Sequence, residues 1–204
     1  VNADIGLNIC KSYLKDGFQV LGTYRKFTDD MNEIKNHRRL TLFQCDVTQE
    51  QDICKLVDFV HDKSILWTSF FSSVGTSEPI GNFFEIPFEA WEHSIKINCL
   101  GQLHVLHALF KYRASAVIPN VIFLAGGGTN NPFKYYSAYC VSKIMLIKMC
   151  ELLDDENSHL NIFIIGPGFV KTKTHFETIK AGHLAGANYE RVKLFLESGD
   201  NGTP

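Results

Sequence analysis

Residues 121–143 of the chain read VIFLAGGGTNNPFKYYSAYCVSK. The apolar run Val121 to Leu124 predicts a buried strand, and the three glycines that follow it predict a loop. A helix is then predicted from Ser137 to Leu153. Within its first turns Tyr139 and Lys143 are four residues apart, so both side chains lie on one face of the helix and can converge on one bound molecule.

This pair of residues has a chemical use. A free tyrosine has a pKa of about 10 and is a poor acid or base near neutral pH. A neighbouring lysine ammonium stabilises the phenolate, so we expect Lys143 to bring the pKa of Tyr139 toward neutrality. Taken alone, such a pair is a weak signal, because it arises by chance in many helices.

Outward from this stretch, strands and helices alternate along the whole chain. Strands that are apolar on both faces and alternate with helices indicate a parallel sheet covered on each side. The sequence therefore predicts a single α/β domain of 204 residues, a Rossmann-type doubly wound parallel sheet in three αβα layers. Besides the strand and helix above, the predicted segments are a helix over 5–15, strands over 18–24 and 40–45, a helix over 49–61, a strand over 64–72, a helix over 87–110 and a strand over 161–165, with the strand of the first paragraph extended to 117–124.

Composition excludes several classes of protein. The chain has 45% hydrophobic and 21% charged residues and a formal net charge of -2, which gives no reason to expect nucleic acid as a partner. Its six cysteines form no C-x-x-C pair, so we expect buried thiols in a reducing compartment and no metal site. His104 and His107 are three residues apart, but the sequence offers no third side chain to complete a metal site with them, so metal binding there is not expected. The absence of a leader and of an apolar run of about 20 residues favours a cytoplasmic protein without a membrane partner.

Six short motifs occur in one order along the chain, and with them the sequence resembles the short-chain dehydrogenase/reductase family over nearly its whole length. Each motif is weak singly, but the order and spacing of the six are specific. They are Ala3-Asp4-Ile5-Gly6 (the end of the cofactor loop), Asp46-Val47, Ser72-Ser73-Val74-Gly75 (where N-N-A-G usually stands), Asn98 with Gly101, Tyr139 with Lys143, and Pro167 to Thr172 (P-G-x-V-x-T).

The resemblance implies a role for each matching residue. Tyr139 would be the general acid/base, Lys143 would hold the nicotinamide ribose, and Asn98 would support a water-linked proton relay to Lys143. Val170 and Thr172 would contact the nicotinamide carboxamide. The other residues expected to bind the cofactor are Ile5, Tyr24, Arg25, Asp46, Val47, Ser73, Gly75, Pro167 and Gly168. Two alternatives stay open: Asn98 as a structural asparagine at a helix kink, and Pro167-Gly168 as a simple strand-ending turn.

The sequence departs from the family pattern at two places. The first strand and the first two glycines of the phosphate loop are absent, and we expect that the sequence lacks something at both ends. The family's catalytic serine, about 13 residues before the tyrosine, falls on Gly126. Thr129 can supply a hydroxyl if the loop folds back; otherwise a backbone N–H or water replaces it, or the activity is low.

In this family the residues at the end of the second strand influence the choice between NAD and NADP. That strand corresponds to the one predicted over 18–24 in this chain. An acidic residue there suits the ribose 2′-hydroxyl of NAD, whereas an arginine suits the 2′-phosphate of NADP. Here the strand ends Tyr24-Arg25-Lys26 with no acid before Asp29. This favours NADP(H), with NAD(H) possible; the alternative is that both cations are solvated loop residues.

The predicted function is reversible hydride transfer between NAD(P)(H) and an alcohol/carbonyl pair of a small molecule. Two alternatives are a non-catalytic NAD(P)-binding protein of the same fold and a nucleotide-sugar epimerase. Residues 176–195 fall where the family has its substrate-binding flap, and their small residues suit a mobile lid; the alternative is an ordinary loop between short helices. In the family that this sequence resembles, the helix over 87–110 and the Tyr139 helix commonly pair between subunits. Apolar residues Met145, Leu146 and Met149 are compatible with such a homodimer or homotetramer.

Overall fold

The fold is taken from a computed structural model of the chain, which describes residues 1–2 and 4–198. Ala3, assigned above to the end of the cofactor loop, and 202–204, at the end expected to be incomplete, lie outside the described residues. The helices are α1 (Asp4–Lys15), α2 (Glu50–Asp62), α3 (Phe88–Ile95), α4 (Gly101–Leu109), α5 (Ser137–Glu156), α6 (Lys173–Ala181) and α7 (Ala187–Glu197). The strands are β1 (Val20–Tyr24), β2 (Leu40–Gln44), β3 (Ser69–Ser72), β4 (Asn120–Leu124) and β5 (Asn161–Ile165).

All strand pairs are parallel, as the alternation of strands and helices predicts. β1 pairs with β2, and β3, β4 and β5 pair in that order. In the described residues no strand lies between β1 and β3, and a cavity of about 1890 Å³ is lined by residues of both. In a doubly wound sheet of this order the first strand would occupy that gap. That the family's first strand is absent from these 204 residues stays a prediction.

The core forms on both sides of the sheet because apolar residues recur at helical spacing. On α1, Leu7, Cys10 and Leu14 are buried together with Ile34. From α5, Leu146 and Cys150 enter the hydrophobic core and pack on the strand β4. All six cysteines are free and five of them are buried, as expected for small apolar residues.

The predicted strands begin too early in three cases. β1 begins at Val20, β3 at Ser69 and β4 at Asn120, because turns that precede them contain apolar residues that do not pair. Phe18 and Val117 are about half exposed in those turns. Strand β5 also differs from the prediction of two covered faces, since Phe163 and Ile165 on one face are about half exposed.

The long helix predicted over 87–110 is present and contains one irregular turn. A π-helical turn, Lys96–Leu100, joins α3 to α4, and the residues at both of its ends keep right-handed helical φ and ψ. Such a turn follows i→i+5 hydrogen bonds and is frequent at functional sites. It places Asn98 in the interior, where the side chain is fully buried.

The segment expected to form a mobile lid is mostly helical. It contains most of α6, a short 3₁₀ turn from Gly182 to Ala185, and α7. Gly182 and Gly186 both have positive φ, at 57° and 56°, so the small residues of this segment end one helix and begin the next. These glycines lie where one helix ends and the next begins, and the mobility of the segment stays a prediction.

Candidate active site

The sequence-predicted cofactor residues come together around one cavity. It includes the carboxyl ends of the strands, where open α/β sheets bind ligands, and continues along the gap between β1 and β3. Its lining includes every residue assigned above to cofactor binding, namely Ile5, Tyr24, Arg25, Asp46, Val47, Ser73, Gly75, Tyr139, Lys143, Pro167, Gly168, Val170 and Thr172. Asn98 and Thr129, which were predicted to be catalytic, are not among the lining residues.

Tyr139 lies in the first turn of α5, close against the glycine-rich loop after β4. Burial of the phenol raises the pKa of Tyr139 to about 12, while an interaction with the backbone of Gly127 acts in the opposite direction. The expectation that Lys143 lowers this pKa was wrong for the protein without cofactor. Desolvation dominates because the phenol is largely shielded from water.

Lys143 is one turn further along the same helix, and its side chain is 4% exposed. Its Nζ donates a hydrogen bond to the carbonyl oxygen of Leu124 at 2.8 Å and lies 5.8 Å from the centre of the Tyr139 ring. Burial lowers the pKa of Lys143 to about 8. The ammonium is therefore close to losing its proton at mildly alkaline pH, which weakens its effect on the phenol.

The Asn98 side chain holds the segment after β3 in place by hydrogen bonds to its backbone. Its Oδ1 accepts a hydrogen bond from the backbone N–H of Thr76 at 2.8 Å, and its Nδ2 donates to the carbonyl of Thr76 at 2.9 Å. The carbonyl oxygen of Asn98 accepts from Gln102 Nε2 at 2.6 Å. These contacts match the alternative of a structural asparagine at a helix kink; the proton relay stays a prediction.

Gln102 is a buried polar residue that the sequence analysis did not single out. Its Oε1 accepts a short hydrogen bond from Ser72, and its Nε2 also donates to the carbonyl of Val74 at 3.1 Å. It thus joins the end of β3 to the π-helical turn. No motif signals this role, since a glutamine in an apolar helix pattern is normally a surface residue.

Gly126, which stands where the family has its catalytic serine, lies in the loop after β4. A Cβ on Gly126 would lie 2.6 Å from Tyr139 Cζ and overlap the hydroxyl oxygen, so no side chain fits there beside Tyr139. Gly127 has open space, with Phe133 Cε1 at 3.9 Å. Thr129 directs its hydroxyl to the carbonyl of Gly126 at 3.5 Å, and Thr129 itself does not line the cavity.

Three further predicted residues, Arg25, Asp46 and Thr172, line the cavity. Asp46 accepts hydrogen bonds from the N–H and hydroxyl of Thr48, at 2.9 and 2.7 Å, which shapes the turn before α2. Arg25 is exposed at the end of β1. Thr172 begins α6 in a capping box with His175, so its hydroxyl serves the helix terminus as well as facing the cavity.

The cavity fits an extended dinucleotide by the chemistry of its lining. That lining includes the cation of Arg25 as well as the phenol of Tyr139 and the ammonium of Lys143. No helix in the described part of the chain is long and apolar enough to cross a bilayer, and no group of three or more metal-binding side chains occurs among those residues.

Comparison with known proteins agrees with this geometry. The family model for short chain dehydrogenase matches residues 2–181, and the chain therefore belongs to the short-chain dehydrogenase family. Its Rossmann-type α/β fold, predicted from the alternation of strands and helices, is confirmed by the structural neighbours.

Individual relatives are distant. Benzil reductase ((S)-benzoin forming) of Bacillus subtilis is 23% identical over 210 residues, which cover 98% of this chain and 84% of the relative. An uncharacterized oxidoreductase of Saccharomyces cerevisiae, YIR035C, is 23% identical over 74% of this chain and 59% of its own length. Its crystal structure superposes with a TM-score of 0.81, at 20% identity over 95% of this chain and 78% of that one. The KRED1-Pglu enzyme gives a TM-score of 0.84, at 20% identity over 93% and 81%.

Proposed function

We propose that the chain is an NADP(H)-dependent carbonyl reductase that acts reversibly on an alcohol/carbonyl pair. The observation that carries this proposal is the single cavity whose lining contains Tyr139, Lys143 and all the predicted cofactor residues. The bound cofactor would supply or accept the hydride. Tyr139 would exchange a proton with the substrate oxygen, since its phenol is the acid/base group one helical turn from the buried ammonium.

Arg25 supports the choice of NADP(H) over NAD(H). It lines the cavity at the end of β1, whereas the adjacent cation Lys26 does not. An arginine at this place can bind a 2′-phosphate through two parallel N–H groups.

The cytoplasmic location stays a prediction.

A homodimer or homotetramer stays a prediction, but the burial of the side chains on α5 changes which residues could form the contact between subunits. Leu146 is fully buried in the core, while Val141, Ile144 and Met145 on α5 are 40–46% exposed. These three residues, rather than Leu146, would form the apolar face of a subunit contact.

The substrate class is suggested by the name of one relative, a reductase of benzil. In this chain three aromatic residues, Phe133, Tyr136 and Phe169, line the cavity that contains Tyr139. Aromatic side chains favour ring-bearing ligands by stacked or edge-to-face contacts. Benzil and related aryl ketones are therefore the first substrates to test.

A second function, cofactor binding without turnover, is favoured by one observation. The site has glycine at position 126, so the hydroxyl donor expected beside the phenol is absent there. Loss of one such donor typically costs about 10²–10³ in rate. Turnover of a carbonyl substrate separates the two functions.

The test combines cofactor titration with turnover. NADPH should bind at least about tenfold more tightly than NADH, and Arg25→Ala should remove most of that difference, as loss of a charged hydrogen-bond donor implies. Lys26→Ala is the matched control and should leave it unchanged. Nicotinamide fluorescence measures both affinities, and binding of neither cofactor would refute the proposal.

Turnover is then measured with NADPH and benzil. Tyr139→Phe should lower kcat by about 10²–10⁴ with little change in NADPH affinity, because only proton transfer is lost. Tyr189→Phe removes a hydroxyl from a residue packed near Tyr136 but outside the cavity lining, and it should keep full activity. Tight NADPH binding by a wild-type protein that reduces no carbonyl compound would favour the non-catalytic function.

A further inference from the structure

The helix α6 carries a buried carboxylate that no sequence motif indicated. Glu177 is 6% exposed. Its carboxylate accepts hydrogen bonds from the N–H and hydroxyl of Ser77, at 2.7 and 2.8 Å, and from the hydroxyl of Thr76 at 3.0 Å. Lys173 Nζ lies 2.8 Å from it. A buried charge is tolerated only when it is paired and hydrogen-bonded, and this one has donors from three residues.

These donors keep the carboxylate charged. Burial alone would raise the pKa of Glu177, but the hydrogen bonds from Lys173 and Ser77 outweigh it and hold the pKa below its usual range. Glu177 is therefore an anion at neutral pH, and each of its contacts is a charge-assisted hydrogen bond.

The contacts of Glu177 join two walls of the cavity. Thr76 and Ser77 line it from the segment that follows β3, and His175 and Thr178 line it from α6, whereas Glu177 lies behind this lining. Thr76 is in turn held on both its N–H and its carbonyl by Asn98. A continuous set of hydrogen bonds thus runs from α6 through Thr76 to the π-helical turn.

A second ion pair joins the same two parts of the chain and offers a comparison. Lys180 Nζ lies 2.9 Å from Glu78, with both side chains exposed, at 78% and 48%. Exposed pairs of this kind contribute little, because solvent screens the charges and the long side chains lose freedom. Two glutamates therefore link α6 to residues 76–78, one buried and one exposed.

We propose that Glu177 is a positioning residue that fixes α6 against Thr76 and Ser77 and thereby sets the width of the cavity beside Tyr139. Without its charge, the side-chain contacts that remain on α6 include the hydrogen bond of Tyr136 to Thr178 at 2.9 Å and that of the Lys173 N–H to Asp4 at 2.8 Å. In Glu177→Gln one carboxylate oxygen becomes an amide NH₂, which would face either the donors of Ser77 or those of Thr76 and Lys173. The kinetic part of this proposal rests on the proposed function; the structural part does not.

The structural test measures hydrogen exchange of the backbone amides of α6 in the protein without cofactor. In Glu177→Gln these amides should exchange at least about tenfold faster than in the wild type, since a charged buried acceptor is lost. In Glu78→Gln, the matched control, they should exchange at the wild-type rate. Equal exchange in the two variants would overturn the proposal.

The kinetic test separates positioning from a general loss of stability. With an aryl ketone, Glu177→Gln should raise KM by about fivefold or more while kcat and NADPH affinity change less than about twofold, as expected when only substrate placement is weakened. An unchanged KM with faster exchange would overturn the link to the cavity. If the wild type reduces no ketone, the proposed function fails, but the exchange comparison still decides what holds α6.

A second pair of variants keeps the test decisive if Glu177→Gln does not fold. Lys173→Met and Ser77→Ala each remove one donor from the carboxylate, and the Lys173 side chain is 54% exposed, so that replacement should be tolerated. Both should accelerate exchange in α6 by about threefold, in keeping with the loss of one of several hydrogen bonds. Exchange equal to that of Glu78→Gln in both would count against the proposal.

Discussion

The loops that follow β4 and β5 look alike in sequence, but their glycines have different physical causes. Residues 125–128 read AGGG and residues 166–168 read GPG, and both loops line the cavity. In the first loop, side chains at Gly126 and Gly128 would collide with Tyr139 and Cys140 of α5. In the second, a Cβ on Gly166 would meet nothing within 4 Å.

The difference shows that a glycine can be required by contact or by backbone conformation, and that the sequence does not distinguish the two. Gly126 has a φ that any residue can adopt and is excluded from substitution only by the neighbouring phenol. Gly168, at φ 75°, is required by its left-handed conformation instead. The loop after β4 is thus fitted to α5, and the absence of a serine at 126 is part of that fit.

The largest effect is expected at Gly128, where contact and conformation act together. Its φ is 78°, and a Cβ would lie 2.6 Å from Phe133 Cβ and overlap Cys140 Sγ. Gly128→Ala should lower the free energy of unfolding by about 2–4 kcal/mol, from left-handed strain and overpacking combined. Urea unfolding measures this.

Gly182 provides the matched control, because it has φ 57° but nothing within 4 Å of an added Cβ. Gly182→Ala should cost about 1–3 kcal/mol from strain, because the φ of 57° and ψ of -127° at Gly182 lie in a region that other residues rarely adopt. Equal losses in Gly128→Ala and Gly182→Ala would break the comparison, since contact with α5 would then contribute nothing.

The next effect is expected at Gly126 and concerns activity. Gly126→Ala should displace the Tyr139 phenol and lower kcat/KM for NADPH-dependent reduction by about 10²-fold, as a misplacement of about 1 Å does in other active sites. Gly127→Ala, one residue further, and Gly166→Ala, in the other loop, should each keep activity within about twofold. Steady-state kinetics with benzil check this. A fully active Gly126→Ala enzyme would contradict the prediction, because it would show that the loop moves aside and leaves the phenol in place.

The smallest effect is a dependence of stability on pH at the base of the first loop, where Lys143 donates to Leu124. The pKa of Lys143 is lowered to about 8 in the folded protein and is about 10.4 when unfolded. Between these values the unfolded chain binds more protons, so the stability contributed by this group rises with pH. From pH 8 to 10 the gain should be about 1–2 kcal/mol.

Lys143→Met removes the titrating group and keeps much of its length. The difference between the wild-type and Lys143→Met unfolding free energies should therefore change with pH over this window. Contributions from groups that do not interact with Lys143 cancel, whereas that of Cys99, which interacts electrostatically with Lys143, stays in the difference. A difference that stays constant from pH 8 to 10 would mean that the ammonium keeps its ordinary pKa in the folded state.

The sequence predicts the frame of this molecule well because strands and helices follow apolar periodicity. The bounds of β5 agree with the prediction, and α1 and α5 begin within one residue of the predicted positions. Three of the six family motifs, Asp46-Val47, Ser72 to Gly75 and Pro167 to Thr172, lie at or after the ends of β2, β3 and β5. They predict residues of the cavity lining because strand ends meet at one edge of a parallel sheet.

What the sequence does not predict depends on contacts between distant residues. The role of Glu177 requires Thr76 and Ser77, about 100 residues away along the chain. The pKa of Tyr139 follows from its burial against the loop at Gly126, which periodicity does not report. The π-helical turn at Lys96–Leu100 has no local signal either, because its residues fit an ordinary helical pattern.

That turn has a consequence for how the chain tolerates insertion and deletion. A π-helical turn contains one residue more than an α-helical turn, and it absorbs that residue by rotating less per residue. Deletion of Cys99 or Leu100 would therefore restore a regular helix with α3 and α4 in nearly the same phase. Asn98 and Gln102 would then be three residues apart, and the hydrogen bond from Gln102 Nε2 to the Asn98 carbonyl would lose its spacing of four residues. The extra residue thus sets the distance between two buried polar side chains, so the length of this segment is constrained as strictly as its composition.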